Sequence, residues 1–295
     1  MRSYILTRRR SASSPSTHRR PVLITATAVA LLSASALLAP ATSGGYLAKV
    51  TNTTNTAGTA QSFSTCASAL AIDKSNALFS YQLTEPSGST TATDYASGSY
   101  PGTYRGTMTS SPATPTACPR DTGGTYVLNG STNYVSAPVS VINPTTFSLE
   151  LWFKTTVAGG KLIGFGNQLT GASTNYDRHL YFSSTGNIIF GVYNGATNTI
   201  VSPLSYNDGL WHQAVATFSG TTGMTLYMDG KNVVANATYT TAQNFTGNWR
   251  IGYDNLNGWP SAGSNYFFTG SMRFAAVYTT VLTASQITNH FTAGQ

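Results

Sequence analysis

The chain has 295 residues, 41% of them hydrophobic, and only 8% are Asp, Glu, Lys or Arg, against a usual charged share of about 25%. So little charge excludes the Glu- and Lys-coated surface of a mainly helical protein, while abundant Thr, Ser, Asn, Gly and Tyr suit pleated strands and tight turns. The net charge of +7 belongs to one end: residues 1–41 hold six arginines and no acid, leaving ten basic and nine acidic residues beyond them. That remainder has no electrostatic footprint for nucleic acid.

Arg8, Arg9, Arg10, Arg19 and Arg20 precede an uncharged Ala-, Leu- and Val-rich stretch, Val22 to Ala39, and Ala39-Pro40-Ala41 offers small residues for cleavage. Residues 1–41 are therefore read as an export signal. The apolar stretch is also about long enough to span a bilayer, so an uncleaved membrane anchor is the alternative. Secretion or display at the cell surface follows, with a membrane met only through that leader. Residues 42–75 read as a Thr/Asn-rich spacer, with a candidate strand at Tyr46–Thr51 and a short helix between Ala67 and Asn76. An exported chain with two cysteines, Cys66 and Cys118, favours a disulfide; two buried thiols are the alternative.

Residues 76–295 form the main domain, in which strand signals recur. Phe147, Leu149, Leu151 and Phe153 alternate with Ser148, Glu150, Trp152 and Lys154. The same period of two runs through His212–Phe218, Met224–Met228 and Trp249–Tyr253, the mark of half-buried strands. Turn signals separate them: Asn143-Pro144, Gly159-Gly160, Asn207-Asp208-Gly209 and Ser219-Gly220. Asp229-Gly230 is the strongest hairpin, because both residues tolerate the positive φ of a type I′ turn. Thr283 and Gln286 make a capping box for one short C-terminal helix, with Leu282 and Ile287 at the staple positions. Many short antiparallel strands at this spacing mean an all-β sandwich or barrel.

The segments ALFSYQLTEPSGS (77–89), YVLNGSTNYVSAP (126–138), NPTTFSLELWFKTT (143–156), DGLWHQAVATFS (208–219), MTLYMDGKNV (224–233), WRIGYDN (249–255) and FTGSMRFAAVYTTVLTASQI (268–287), in that order, resemble the laminin-G-like, concanavalin A-like lectin/glucanase superfamily of exported bacterial proteins. The resemblance implies a jelly-roll sandwich of two antiparallel sheets. It also implies binding of carbohydrate, glycoprotein or protein ligands, often with calcium.

Some relatives of this fold cleave polysaccharides, which takes two carboxyl groups flanking the scissile bond. Here the only glutamates are Glu85 and Glu150, and the same-face neighbours of Glu150 are Ser148 and Trp152. No G-x-S-x-G elbow is present either, so an enzyme is not expected. Family calcium sites pair an early acidic loop with acids in the last strand. Asp94, Ser97 and Gly98 retain part of the loop, but Arg273 and Phe274 stand where acids belong. Calcium takes six to eight oxygens, several of them anionic, so no cofactor is expected. Either Arg273 replaces the cation and pairs with Asp94, or it points to solvent.

Trp211 reads as core before ligand platform, and Trp152 as a candidate for the concave sheet. Asp177, Arg178 and His179 read as a turn-entry cluster. The most suggestive stretch is 249–268. There Trp259, Tyr253 and Tyr266 offer aromatic faces, and Asp254, Asn255 and Asn257 offer edge hydrogen bonds, as a carbohydrate site requires. The Asn257-Gly258-Trp259-Pro260 loop is expected to expose Trp259, with plain turn chemistry as the alternative. The function expected is extracellular recognition of a glycan or glycoprotein. A structural or adhesive surface protein that binds protein partners is the other reading.

Overall fold

The structure, a computed structural model, describes residues 64–112 and 116–295. Helix α1 (Cys66–Asp73) and a 3-10 turn (Lys74–Asn76) lead into β1 (Ala77–Tyr81), β2 (Thr91–Ala92), β3 (Gly102–Arg105), β4 (Thr109–Ser111), β5 (Thr125–Asn129) and β6 (Tyr134–Ile142). There follow β7 (Thr146–Lys154), β8 (Lys161–Gly166), β9 (Tyr176–Phe182), β10 (Asn187–Tyr193), β11 (Thr197–Ser205), β12 (Trp211–Ser219), β13 (Gly223–Met228), β14 (Lys231–Asn236), β15 (Thr246–Ile251) and β16 (Thr269–Tyr278). Helix α2 (Ala284–Ala293) ends the fold. The strands form two eight-stranded antiparallel sheets, the jelly-roll sandwich. One has the order β14-β13-β12-β7-β16-β5-β4, with β1 also on β16; the other runs β11-β10-β9-β8-β15-β6-β3-β2.

Alternation along the strands becomes layering. Phe147, Leu149, Leu151 and Phe153 of β7 point into the core beside Ala214, Ala216 and Phe218 of β12 and Met224, Leu226 and Met228 of β13. The second sheet answers with Ile163, Phe165, Leu180, Phe182, Phe190, Trp249 and Ile251. Each buried Leu, Ile, Met or Phe among them contributes about 1.5–3 kcal/mol. The Asp229-Gly230 turn has φ of 52° and 73°, as the hairpin requires. Strand β15 stops at Ile251, and Gly252 at φ 92° turns the chain away.

The outer face of the first sheet is covered rather than solvated. Trp152 is buried and stacks on Phe291 of α2, with ring centroids 5.7 Å apart, so it does not lie on an open concave face. Trp211 packs half-buried against the same cluster, in which Leu282 and Ile287 are also buried. The capping box at the start of α2 is formed, with Thr283 N donating to Gln286 Oε1 at 2.8 Å. Glu150 accepts from Gln213 Nε2 and Tyr278 OH and contacts His290 Nδ1, whose other nitrogen lies 3.0 Å from Asp73.

Cys66 and Cys118 form the disulfide. Asp121 accepts from the Cys66 and Ala67 N–H groups at the start of α1, at 2.7 and 3.1 Å. Residues 66–75, within the expected 42–75 spacer, are thus tied to the folded unit. The leader and the candidate strand at 46–51 lie outside the described residues. Among the described residues no helix is long and apolar enough to cross a membrane.

Arg273 neither pairs with Asp94 nor reaches solvent. The register of β16 on β7 shifts between Arg273 and Ala276, and Phe274 adopts φ 49°. Met272 and Ala275 therefore face the core, while Phe274 packs in the outer cluster. At this bulge Arg273 is fully buried and donates to the carbonyls of Ala117, Cys118 and Thr122 at 2.6, 3.1 and 2.8 Å. Asp94 accepts instead from Ser80 N, Ala96 N, Ser97 Oγ and Tyr100 N. One carboxylate already ringed by four donors does not fit a calcium ion, which needs several free anionic oxygens.

Candidate functional site: an aromatic cleft on the second sheet

On the outer face of the second sheet, residues 252–268 fold back over β8, β9 and β10. Strand β10 buries Ile188, Phe190 and Val192 in the core, so Ile189, Gly191 and Tyr193 point outward. Tyr181 of β9 joins Ile189, Leu256 and Trp259 in a small outer cluster. Two tyrosine hydroxyls hold the loop down: Tyr176 OH donates to Asn257 O and Tyr181 OH to Pro260 O, both at 2.8 Å.

This arrangement corrects the expected exposure of Trp259, which is only 7% exposed. The indole lies against Gly191, where a Cβ would come within 2.3 Å of its Cζ3, and meets the His179 ring edge-on with centroids 4.1 Å apart. Asp254 is likewise fully buried rather than free to meet a ligand. It forms an ion pair with Arg250 and accepts from Ser173 N and Oγ at 3.0 and 2.8 Å. Burial alone would raise its pKa; the Lys161 and Arg250 charges outweigh that and hold it below the usual carboxylate range. Asn255 donates to Ser173 O and accepts from Asn257 N, which shapes the loop. Tyr253 stacks on Phe267 at 3.6 Å and packs with Tyr134. Tyr266 is half-buried against the outer cluster.

Beside this loop lies a cleft of about 320 Å³. Its aromatic walls are Tyr176, Tyr193 and an edge of Trp259; amides come from Asn175, Gln243 and Asn257, and hydroxyls from Thr174 and Thr197. No charged side chain lines it. Of the residues singled out by sequence, Trp259 and Asn257 reach the cleft. Asp254, Asn255 and Tyr266 support the loop, and Tyr253 packs with Tyr134 and Phe267. Sequence reading missed Tyr176, Tyr193 and Gln243. The signal was there for Tyr193: in NIIFGVY the outward positions run Ile189, Gly191, Tyr193.

Behind the Tyr176 and Trp259 wall the polar groups are of another kind. Lys161 and His179 are fully buried. Burial lowers the Lys161 ammonium to about 8, and burial with the nearby Lys161 charge holds His179 well below its ordinary value, so its imidazole is neutral at pH 7. The Asp177–Arg178 pair is also buried. Arg178 donates to Pro144 O and Gln243 O, anchoring the segment that carries Gln243 into the cleft. The two glutamates are engaged elsewhere: Glu150 as above, and Glu85 by Thr93 N and Tyr104 OH.

Residues 129–288 match the family described as the Concanavalin A-like lectin/glucanases superfamily, more than half of the chain. The chain belongs to that superfamily. Among solved structures it is similar to the binding domain of Paraclostridial Mosquitocidal Protein 1, with a TM-score of 0.56 and 13% identity over 74% of this chain and 52% of that one. The receptor binding domain of the botulinum neurotoxin C/D mosaic serotype gives a TM-score of 0.51 at 12% identity, over 74% and 51% of the two chains. A botulinum neurotoxin type C structure gives 0.52 at 15%, over 77% and 53%; cell entry of that toxin is dependent upon interaction with two ganglioside molecules. At such identities the likeness shows the fold, and this chain spans about half the length of each. A comparison with curated proteins finds no match.

Proposed function

We propose that this chain is an extracellular or cell-surface binding module that takes a carbohydrate or glycoconjugate in the cleft between Tyr176, Tyr193 and Trp259. The observation that carries it is the lining: aromatic walls, three amides, two hydroxyls and no charge. Aromatic faces suit the C–H faces of a sugar ring, and amides both donate to and accept from its hydroxyls. Asn257 and Trp259 contact the ligand; Asp254, Asn255 and Tyr266 position their loop. Tyr253, stacked on Phe267, supports the base of that loop. The ganglioside interaction of a structurally similar toxin, and the lectins of the superfamily, support a glycan ligand. The Arg-rich leader supports export. No reaction is proposed, since Glu85 and Glu150 are each held by neighbours.

A glycan array followed by calorimetry tests this reading. Retained glycans whose affinity falls at least tenfold in Tyr193→Ala support it, and no retained glycan overturns it. A protein partner is the second reading, favoured by Val201 and Leu204, which are 45% and 65% exposed on β11 at the edge of the second sheet.

A further inference from the structure

Among the described residues, eight buried side-chain nitrogen and oxygen atoms have no hydrogen-bond partner, and four of them belong to Lys161, His179 and Arg250. They are Lys161 Nζ, both ring nitrogens of His179 and Arg250 Nε. The three residues sit on neighbouring strands. Gly164 of β8 pairs with Arg250 of β15, and a Cβ on Gly164 would come within 2.5 Å of His179 Cβ and 3.3 Å of Lys161 Nζ. The missing side chain at Gly164 leaves the trough through which the Lys161 chain passes.

Charge here is not balanced. Three cations, Lys161, Arg250 and Arg178, share two carboxylates: Asp254 and Asp177 are ion-paired with the arginines, and Lys161, though it feels the Asp254 charge, has neither as an ion-pair partner. A buried ammonium with no hydrogen-bond acceptor is unfavourable, and an anion that accepts its hydrogen bonds offsets part of that cost. What covers this group is the cleft wall. Lys161 Nζ lies 5.8 Å from the centre of the Tyr176 ring, and the His179 ring meets Trp259. Tyr176 is half-buried, and its hydroxyl is tied down by its bond to Asn257 O in an exposed Asn-Gly tip. A Cβ on Gly258 would meet nothing within 4 Å, so that side of the tip borders open space.

We propose that the cleft continues inward to an anion subsite, in which Lys161 and His179 receive the carboxylate or sulfate of an acidic sugar that enters between Tyr176 and Trp259. The neutral lining of the cleft holds the ring, and the buried cation reads its acidic substituent. This inference rests on the carbohydrate reading above and narrows it to acidic glycans.

The test uses the full chain, wild type and Lys161→Met, on a panel that pairs neutral glycans with their carboxylated and sulfated counterparts at pH 7. The acidic member of a pair is expected to bind at least tenfold more tightly, with that ratio falling below twofold in Lys161→Met. Neutral and acidic members binding equally, or a preference that survives Lys161→Met, overturns the subsite and leaves the carbohydrate reading standing. If no glycan binds, inorganic sulfate reads the subsite alone. A Tm increment in sodium sulfate over sodium chloride at equal ionic strength, larger in wild type than in the variant, supports it; equal increments overturn it. Lys161→Gln, which removes the charge and keeps hydrogen-bonding groups, serves as the second variant should Lys161→Met not fold.

Discussion

Gly191 decides where Trp259 goes. Its missing side chain lets the indole lie on β10, and a methyl group there would sit 2.3 Å from Trp259 Cζ3. Gly191→Ala is expected to cost about 1–3 kcal/mol, the usual range for overpacking a filled site, and to lift Trp259 out of its contact with His179. A lower Tm together with a red-shifted tryptophan emission would show both effects; unchanged emission would refute the displacement. The same contact explains why Trp259 is buried although its local sequence points to solvent. Asn-Gly-Trp-Pro is turn chemistry, and turns face solvent. What closes over this one comes from Tyr181, His179 and Gly191, about 70 to 80 residues earlier. Arg273 is a parallel case: strict alternation leaves its partners open, and a bulge aims it at the carbonyls of 117–122.

Helix α2 is held to the first sheet through His290, which stands between Glu150 of β7 and Asp73 of α1 at 2.9 and 3.0 Å. Burial alone would lower the His290 pKa, but Glu150 and Asp73 outweigh it and raise it to about 9. In the unfolded chain a histidine titrates near 6.5. The protonated ring therefore contributes its full stabilisation below about pH 6.5, and that stabilisation is lost progressively as pH rises toward 9. The urea midpoint of wild type is expected to fall between pH 6.5 and 8, and to fall less steeply in His290→Gln. His212 adds a slope of the same sign: burial lowers its pKa, but Asp229 and Asp208 raise it by more. Identical slopes in wild type and His290→Gln would remove the role given to this network. The capping box, staple and length of α2 were legible in the sequence. The network was not, because Asp73, Glu150 and His290 are separated by more than seventy residues at each step.

Across the whole molecule, α1 is tied to the sandwich by covalent and polar links together. The disulfide spans 52 residues of sequence, Asp121 caps the helix start, and Arg120 donates to Ala293 O at the end of α2. In the loop-entropy account, closing a loop of this size contributes about 4 kcal/mol. Reduction is expected to lower the unfolding free energy by roughly that much and to make residues 64–76 the first site of limited proteolysis. Equal denaturation midpoints with and without reductant would refute it.

The amino-acid sequence by itself determined the layering of this protein. Period-two rows such as Phe147-Leu149-Leu151-Phe153 must bury one face, and turn residues such as Asp229-Gly230 fix where the rows reverse. Those are local signals, set by a few adjacent residues. It also singled out the stretch 249–268, from which the proposed cleft takes Asn257 and Trp259. Only the tertiary structure decided what that loop does. Trp259 and Asp254 turn inward because strands β9, β10 and β15 present Tyr181, Gly191 and Arg250 to them, and the cleft opens beside them from Tyr176, Tyr193 and Gln243. Sites of this kind are assembled from positions far apart in the chain, and no local period records which of them will meet.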